Sequence, residues 1–333
     1  MKLNQNSKQT LLSGESILLV TVIISFLYSF ILHTSQDNKH IHEFESLAEL
    51  SESIVTCPQT TSYQQSRYST SESSDTRICP IDEERLGTVD KLRLDTWLNY
   101  HHIQLGGKFK PVGCHSRQKV ALVIPYRDRE EHLETFALYI HQFLPDQLIE
   151  YTVYVIEQND NNPFNRAKLF NIGVLEILKL DPEVCCFIFH DVDLIPMDQR
   201  NLYMCSNMPR HLSPSVNTLR YNILYPNLFG GAISMTRDQY QVVGGFSNDF
   251  YGWGAEDDDI FRRVVSAGLS IDRTFRGHGV YIMLKHVKSK PNPINRSILN
   301  SRRQDTFNTT INDYAVKNIH LRLLFTLISV DLI

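Results

Sequence analysis

Val120-Ala121-Leu122-Val123-Ile124-Pro125-Tyr126-Arg127-Asp128-Arg129 is the stretch whose reading decides the fold. Its first half is a short apolar run, as expected of a parallel strand buried on both faces. Its polar second half, with two arginines, then falls at the strand's carboxyl end. Downstream, Leu133, Phe136, Ile140, Phe143 and Leu144 recur at helical spacing. Tyr151 to Ile156 reads as a second strand. Phe164-Asn165-Arg166-Ala167-Lys168 opens a second helix with Phe170, Val174, Ile177 and Leu178 on one face. Cys186 to Phe189 is a third strand and runs into His190-Asp191-Val192-Asp193. Strands alternating with helices predict an α/β sheet. Such sheets bind ligands beyond the carboxyl ends of their strands. Arg127, Arg129, Arg166, Asp191 and Asp193 are therefore expected to share one site.

The chemistry of that set is coherent. Arginines at strand ends suit the oxygens of a diphosphate. Two acids flanking a valine suit a hard divalent cation bridging those oxygens. An Asp-x-Asp also caps loops, so both readings stand. A second stretch, Tyr251-Gly252-Trp253-Gly254-Ala255-Glu256-Asp257-Asp258-Asp259, sets four adjacent carboxylates behind a tryptophan between glycines. Ile260, Phe261, Val264, Val265 and Leu269 follow at helical spacing and Gly268 closes the run, so the acids load a helix N-terminus. The helix dipole accounts for one or two of them. Four repel one another, which favours a further role in binding hydroxyls or taking a proton. Met283 and His286 stand three apart. Such residues are more often core than ligands, though an imidazole could complete a shell begun by the aspartates; a thioether is unusual for manganese.

The chain has 333 residues, 42% of them hydrophobic, enough for one large domain, and its net charge of −4 gives no basic surface for nucleic acid. Six widely spaced cysteines without a Cys-x-x-Cys pair argue against structural zinc and for disulfides in an exported chain. Ile17 to Leu32 is uncharged and mostly apolar; Lys2 and Lys8 precede it, and Asp37, Glu43, Glu45 and Glu49 follow. This predicts a cytoplasmic tail over residues 1–16, an uncleaved signal anchor over 17–33 and everything later in the lumen. Residues 34–78, rich in Ser, Thr, Gln and Tyr, read as a flexible stem, and 79–333 as the folded domain.

From Cys79 to about Asp331 the chain resembles the β-1,4-galactosyltransferase family of Golgi enzymes, glycosyltransferase family 7. The matching stretches are Val123 to Arg129, Phe164 to Lys168, Phe189 to Pro196, Phe229-Gly230-Gly231, Trp253 to Asp259 and Met283-Leu284-Lys285-His286. The resemblance implies a GT-A type α/β domain, a Rossmann-like mixed sheet flanked by helices, in a single-pass type II protein of the Golgi membrane. It implies an inverting β-1,4 transfer from a UDP-sugar to the 4-hydroxyl of a terminal N-acetylglucosamine on glycoconjugates. Pro125, Tyr126, Arg127, Arg129, Phe164, Arg166, Asp191, Val192 and Leu228 would surround the donor, with Glu256 holding it and Trp253 as a lid. Tyr225, Ala255 and Asp258 would meet the acceptor, Asp257 would be the base, and Asp193, Met283 and His286 would hold Mn2+. The family pattern pairs Cys79 with Cys114 and Cys186 with Cys205, leaving Cys57 and Cys185 over.

Several positions depart from the vertebrate pattern. Ala255 replaces a glycine, Thr218 a lysine, and Asn295-Arg296 stands where an Arg-Phe pair is usual. Leu228 replaces a tyrosine against the donor's 2-position. The smaller side chain opens an apolar niche, so UDP-N-acetylgalactosamine is expected as the favoured donor with UDP-galactose still used; the alternative is UDP-galactose as main donor, with Leu228 an ordinary core leucine. Asn295-Arg296-Ser297 and Asn308-Thr309-Thr310 are glycosylation sequons, the first awkward in a moving loop. A lectin that keeps the sugar pocket without turnover is the competing class, but it would not need Asp257 beside Asp193 and His286. A xylose acceptor is the competing substrate, and Met283-x-x-His286 fits the N-acetylglucosamine branch better.

Overall fold

The computed structural model describes residues 40–44, 46–56, 77–82, 84–89, 102–287, 289–301 and 311–333. In chain order its elements are β1 (Ile41–Glu43), α1 (Leu47–Ser53), β2 (Lys108–Phe109), β3 (Lys119–Tyr126), α2 (Glu130–Phe143), β4 (Glu150–Gln158), α3 (Arg166–Leu180), β5 (Cys186–His190), β6 (Leu194–Pro196), β7 (Arg210–His211), β8 (Ser215–Val216), β9 (Ala232–Thr236), α4 (Arg237–Val243), α5 (Glu256–Ser266), β10 (Ile271–Arg273), β11 (Val280–Met283), α6 (Pro293–Ser301), β12 (Tyr314–Leu321) and β13 (Thr326–Leu332).

β3 lies inside the main sheet, with β4 and β5 parallel on either side. The order runs β1-β10-β7-β9-β5-β3-β4-β13-β12, with β2 against β4. β9 is antiparallel to β5, so the sheet is mixed. The apolar run of β3 serves both faces in turn. Val120, Leu122 and Ile124 join the cluster containing Phe136 and Ile140 of α2. Ala121 and Val123 join the opposite cluster, containing Phe170 and Ile177 of α3. That division is why β3 shows no polar alternation. A smaller sheet, β6-β11-β8, lies beyond the end of β5.

The stem reading fails for part of its length. Residues 40–56 carry β1, parallel to β10 in the register Ile41↔Ile271, and α1, capped by the Ser46 hydroxyl. Phe44, Leu50 and Ile54 are buried in the core. The Gln118 side-chain amide donates to both Val55 O and Cys205 O, tying the segment down. The physical reason is that a few well-spaced apolar residues suffice once a sheet edge offers backbone partners. The expected anchor and the rest of the stem up to residue 76 lie outside the described residues. Among the described residues no helix is long and apolar enough to cross a membrane.

Cys79–Cys114 and Cys186–Cys205 are disulfides, as the family pattern implies. Cys185 is not left over: it too is disulfide-bonded. Cys57 lies outside the described residues.

Candidate active site

The strand ends assemble the site. Tyr126 to Arg129 leave β3, and Arg129 stands at the N-cap of α2. Arg127 donates from Nη1 to Asn162 O at 2.7 Å, and its guanidinium lies 5.3 Å from the Phe164 ring centre. The Asn165 side chain caps α3, accepting from Lys168 N, which places Arg166 at the first turn. Arg166 then reaches two ways. Its Nε donates to Asp191 at 2.6 Å and its Nη1 to Asp257 at 2.8 Å. One guanidinium thus joins the β5 end to the acidic helix. The three carboxylates around it, Glu256 included, raise its pKa despite its burial.

α5 carries the acids as expected, all four in its first turn. The structure divides their roles. Asp259 is buried and bonds Arg263 one turn on at 2.7 Å, a structural pair rather than a ligand-binding one. Asp257 is turned toward Arg166. A side chain on Gly230 would place its Cβ 2.1 Å from Asp257 Oδ2, so only glycine lets that carboxylate sit there. Burial pushes the Asp257 carboxyl up to about 7; Arg166 opposes this, and the charges of Glu256 and Asp191 add to it. Burial also pushes Glu256 up. The Tyr225 phenol is raised by burial and by its bond to Asp258. Asp258 also meets Arg296 of α6 at 3.2 Å. Trp253 stands 58% exposed between Gly252 and Gly254.

The candidate metal residues meet through β6 and β11. These strands pair antiparallel with Met283 opposite Leu194, and Leu284 N donates to Asp193 O at 2.7 Å. The ladder brings His286 Nδ1 to 3.0 Å from Asp193 Oδ2. Burial, and the like charge of Asp191, raise the Asp193 pKa. A dication would relieve that repulsion, so the carboxylate oxygen and imidazole nitrogen brought together here fit one. Among the described residues no three His, Cys, Asp or Glu side chains cluster to hold a metal ion. Thr218 donates to Met283 Sδ at 3.4 Å.

Two residues here escape sequence reasoning. His132 of α2 binds Lys285 O through Nε2 at 3.1 Å and lies with its ring centre 6.2 Å from that of His286. Asn217 Oδ1 accepts from Met283 N at 2.9 Å. Neither carries a local signal, because each acts on the segment 283–285 far along the chain. Leu228 is half-buried, its carbonyl accepting from Arg273 Nη2 at 3.1 Å. Pro125 and Val192 line the ends of β3 and β5 as buried residues, and Ala255 stands at the N-cap of α5.

Two family descriptions match the chain: the N-terminal region of glycosyl transferase group 7 over residues 85–206, and the N-terminal domain of galactosyltransferase over residues 210–287. Beta-1,4-galactosyltransferase 2 of Mus musculus is 40% identical over 235 residues, covering 69% of this chain and 64% of that protein. Beta-1,4-galactosyltransferase 3 of Rattus norvegicus is 44% identical over 194 residues, covering 58% and 49%. The chain thus spans less than two thirds of the length of these relatives. Among solved structures, a mutant Drosophila beta-1,4-galactosyltransferase 7 in complex with manganese, UDP-Gal and xylobiose superposes with a TM-score of 0.57 at 26% identity, covering 65% of this chain and 94% of that one.

Proposed function

The chain belongs to the β-1,4-galactosyltransferase family, glycosyl transferase group 7, and from that premise we propose that it is an inverting, manganese-dependent glycosyltransferase acting on the 4-hydroxyl of terminal N-acetylglucosamine. The observation that carries this reading is the Asp191–Arg166–Asp257 bridge, which sets a half-buried carboxylate directly beside the strand ends suited to a diphosphate. Such a carboxylate, with its affinity for protons raised, is a competent general base.

Arg127, Arg129 and Arg166 meet the diphosphate of the donor, and Trp253 covers it. Asp193, Met283 and His286 would hold Mn2+, the ion bound by the Drosophila relative; when bound, it neutralises charge on the departing diphosphate. Asp258 and Tyr225 hold the acceptor sugar. Asp257 takes the proton of the 4-hydroxyl as that oxygen bonds to C1 of the donor hexose. The C1–O bond to UDP breaks on the opposite face, its electron pair leaves with UDP, and the configuration at C1 inverts.

For the donor, Leu228 supports UDP-N-acetylgalactosamine with UDP-galactose still used. A methyl-sized niche discriminates by only about 1–3 kcal/mol, so the preference is partial. The disulfides support an oxidising compartment. With the apolar run Ile17–Leu32, they favour a type II protein of the Golgi membrane, its catalytic domain lumenal.

The test measures UDP release from each donor with free N-acetylglucosamine or xylose, with manganese or with chelator. Asp257→Asn keeps the shape and removes the base, so turnover should fall at least about a hundredfold while UDP binding survives. Turnover within a few-fold of wild type would overturn the assignment of the base. Full activity in chelator would overturn that of the metal. A wild type that ignores UDP-N-acetylgalactosamine would overturn the donor reading.

A further inference from the structure

Asn295 heads a glycosylation sequon, yet its side chain is built into the protein. It is 1% exposed. Its Nδ2 donates to Gly254 O at 2.9 Å and to Tyr251 O at 3.1 Å. Its Oδ1 is buried without a hydrogen-bond partner, so the amide is held through its nitrogen. Asn292 reinforces the contact: its backbone N donates to Trp253 O at 3.0 Å, and its Nδ2 to Tyr251 O at 2.8 Å. On the other side of the loop, Gly252 N donates to Phe164 O at 2.7 Å. The loop Tyr251–Gly254 is thereby fastened between α6 and the start of α3.

The backbone turns sharply at the end of that loop. Gly254 has φ +110° and Ala255 φ +76°. The second is a left-handed conformation that alanine adopts only when its surroundings impose it. Glu256 and Asp257 come next, with no residue between to absorb a shift. Resting on the transferase reading above, we propose that Asn295 is a positioning residue. It pins the carbonyls before Ala255, keeps that residue in its strained turn, and so holds Asp257 over Gly230. Its sequon carries no glycan. Both statements follow from one atom. An N-linked sugar replaces a hydrogen on Nδ2, and here Nδ2 is enclosed with two carbonyls to serve.

The test uses the full chain expressed through a secretory pathway, as wild type, Ser297→Ala, Asn295→Ala and Asn295→Asp. Ser297 is exposed, so its replacement removes the sequon and keeps the amide. Mass spectrometry should find Asn295 unmodified, and Ser297→Ala should match wild type throughout. Both Asn295 variants should speed hydrogen exchange at the Gly252 amide and raise acceptor KM about tenfold, with manganese–UDP affinity within about twofold by calorimetry. A glycan on Asn295 of the folded protein would overturn the proposal. So would an Asn295→Ala chain with wild-type exchange and KM, or one that only melts earlier. The exchange and mass readouts need no turnover. A chain inactive toward N-acetylglucosamine would therefore fail the transferase reading separately and still decide the latch.

Discussion

Asp257 has to act as a base in a place that favours its acid form. An ordinary aspartate has a pKa of 3.8, and here burial carries it to about 7 with Arg166 pulling back. The base is the deprotonated form. Turnover per acceptor should therefore fall about tenfold for each pH unit below about 7 and level off above it. A kcat/KM profile flat down to pH 5 would contradict this. Stability runs the other way. The folded chain holds a proton that the unfolded chain gives up, so this group costs stability increasingly as pH rises from about 4 to 7. The sequence exposes the acids but not their division of labour. Asp259 and Arg263 are spaced for a pair one helical turn apart, a signal open to reading. The approach of Asp257 to Gly230 joins residues far apart in the chain, and no local pattern encodes it.

At the scale of elements, β3, α2, β4, α3 and β5 are legible, the helices by their period and the strands as short apolar runs between them. The contact between α3 and the sheet is less so. Gly173 faces β3 and β4, where a Cβ would lie 2.5 Å from Val123 Cγ1 and 3.0 Å from Ile156 Cγ1. Gly173→Leu should push the helix off the sheet and cost about 1–3 kcal/mol. A thermal melt that matches wild type would show that the helix can retreat freely. The strands that gather the metal residues are harder to read. β6 has three residues and β11 four, too short to show alternation. Met283 and His286 accordingly read alone as core, and only the ladder to Leu194 explains why they stand beside Asp193.

At the scale of the molecule, the compact unit begins at His40 rather than at Cys79. Composition hides this, since Phe44, Leu50 and Ile54 are scattered among polar residues. A chain trimmed to begin at residue 77 loses those three buried side chains, worth at most about 1.5–3 kcal/mol each. It should melt lower than a chain beginning at residue 40, and equal melting would show that β1 and α1 add nothing. The C-terminal hairpin is equally silent in the sequence: β13 lies within the sheet, between β4 and β12. The pairing of β1 with β10 also has a consequence in time. Ile41 leaves the ribosome long before its partner Ile271. At about 5–20 residues per second the wait is roughly ten to fifty seconds. During that interval the first strand of the domain has no edge to join, and whatever shields it in the cell takes part in biosynthesis as fully as the residues that later cover it.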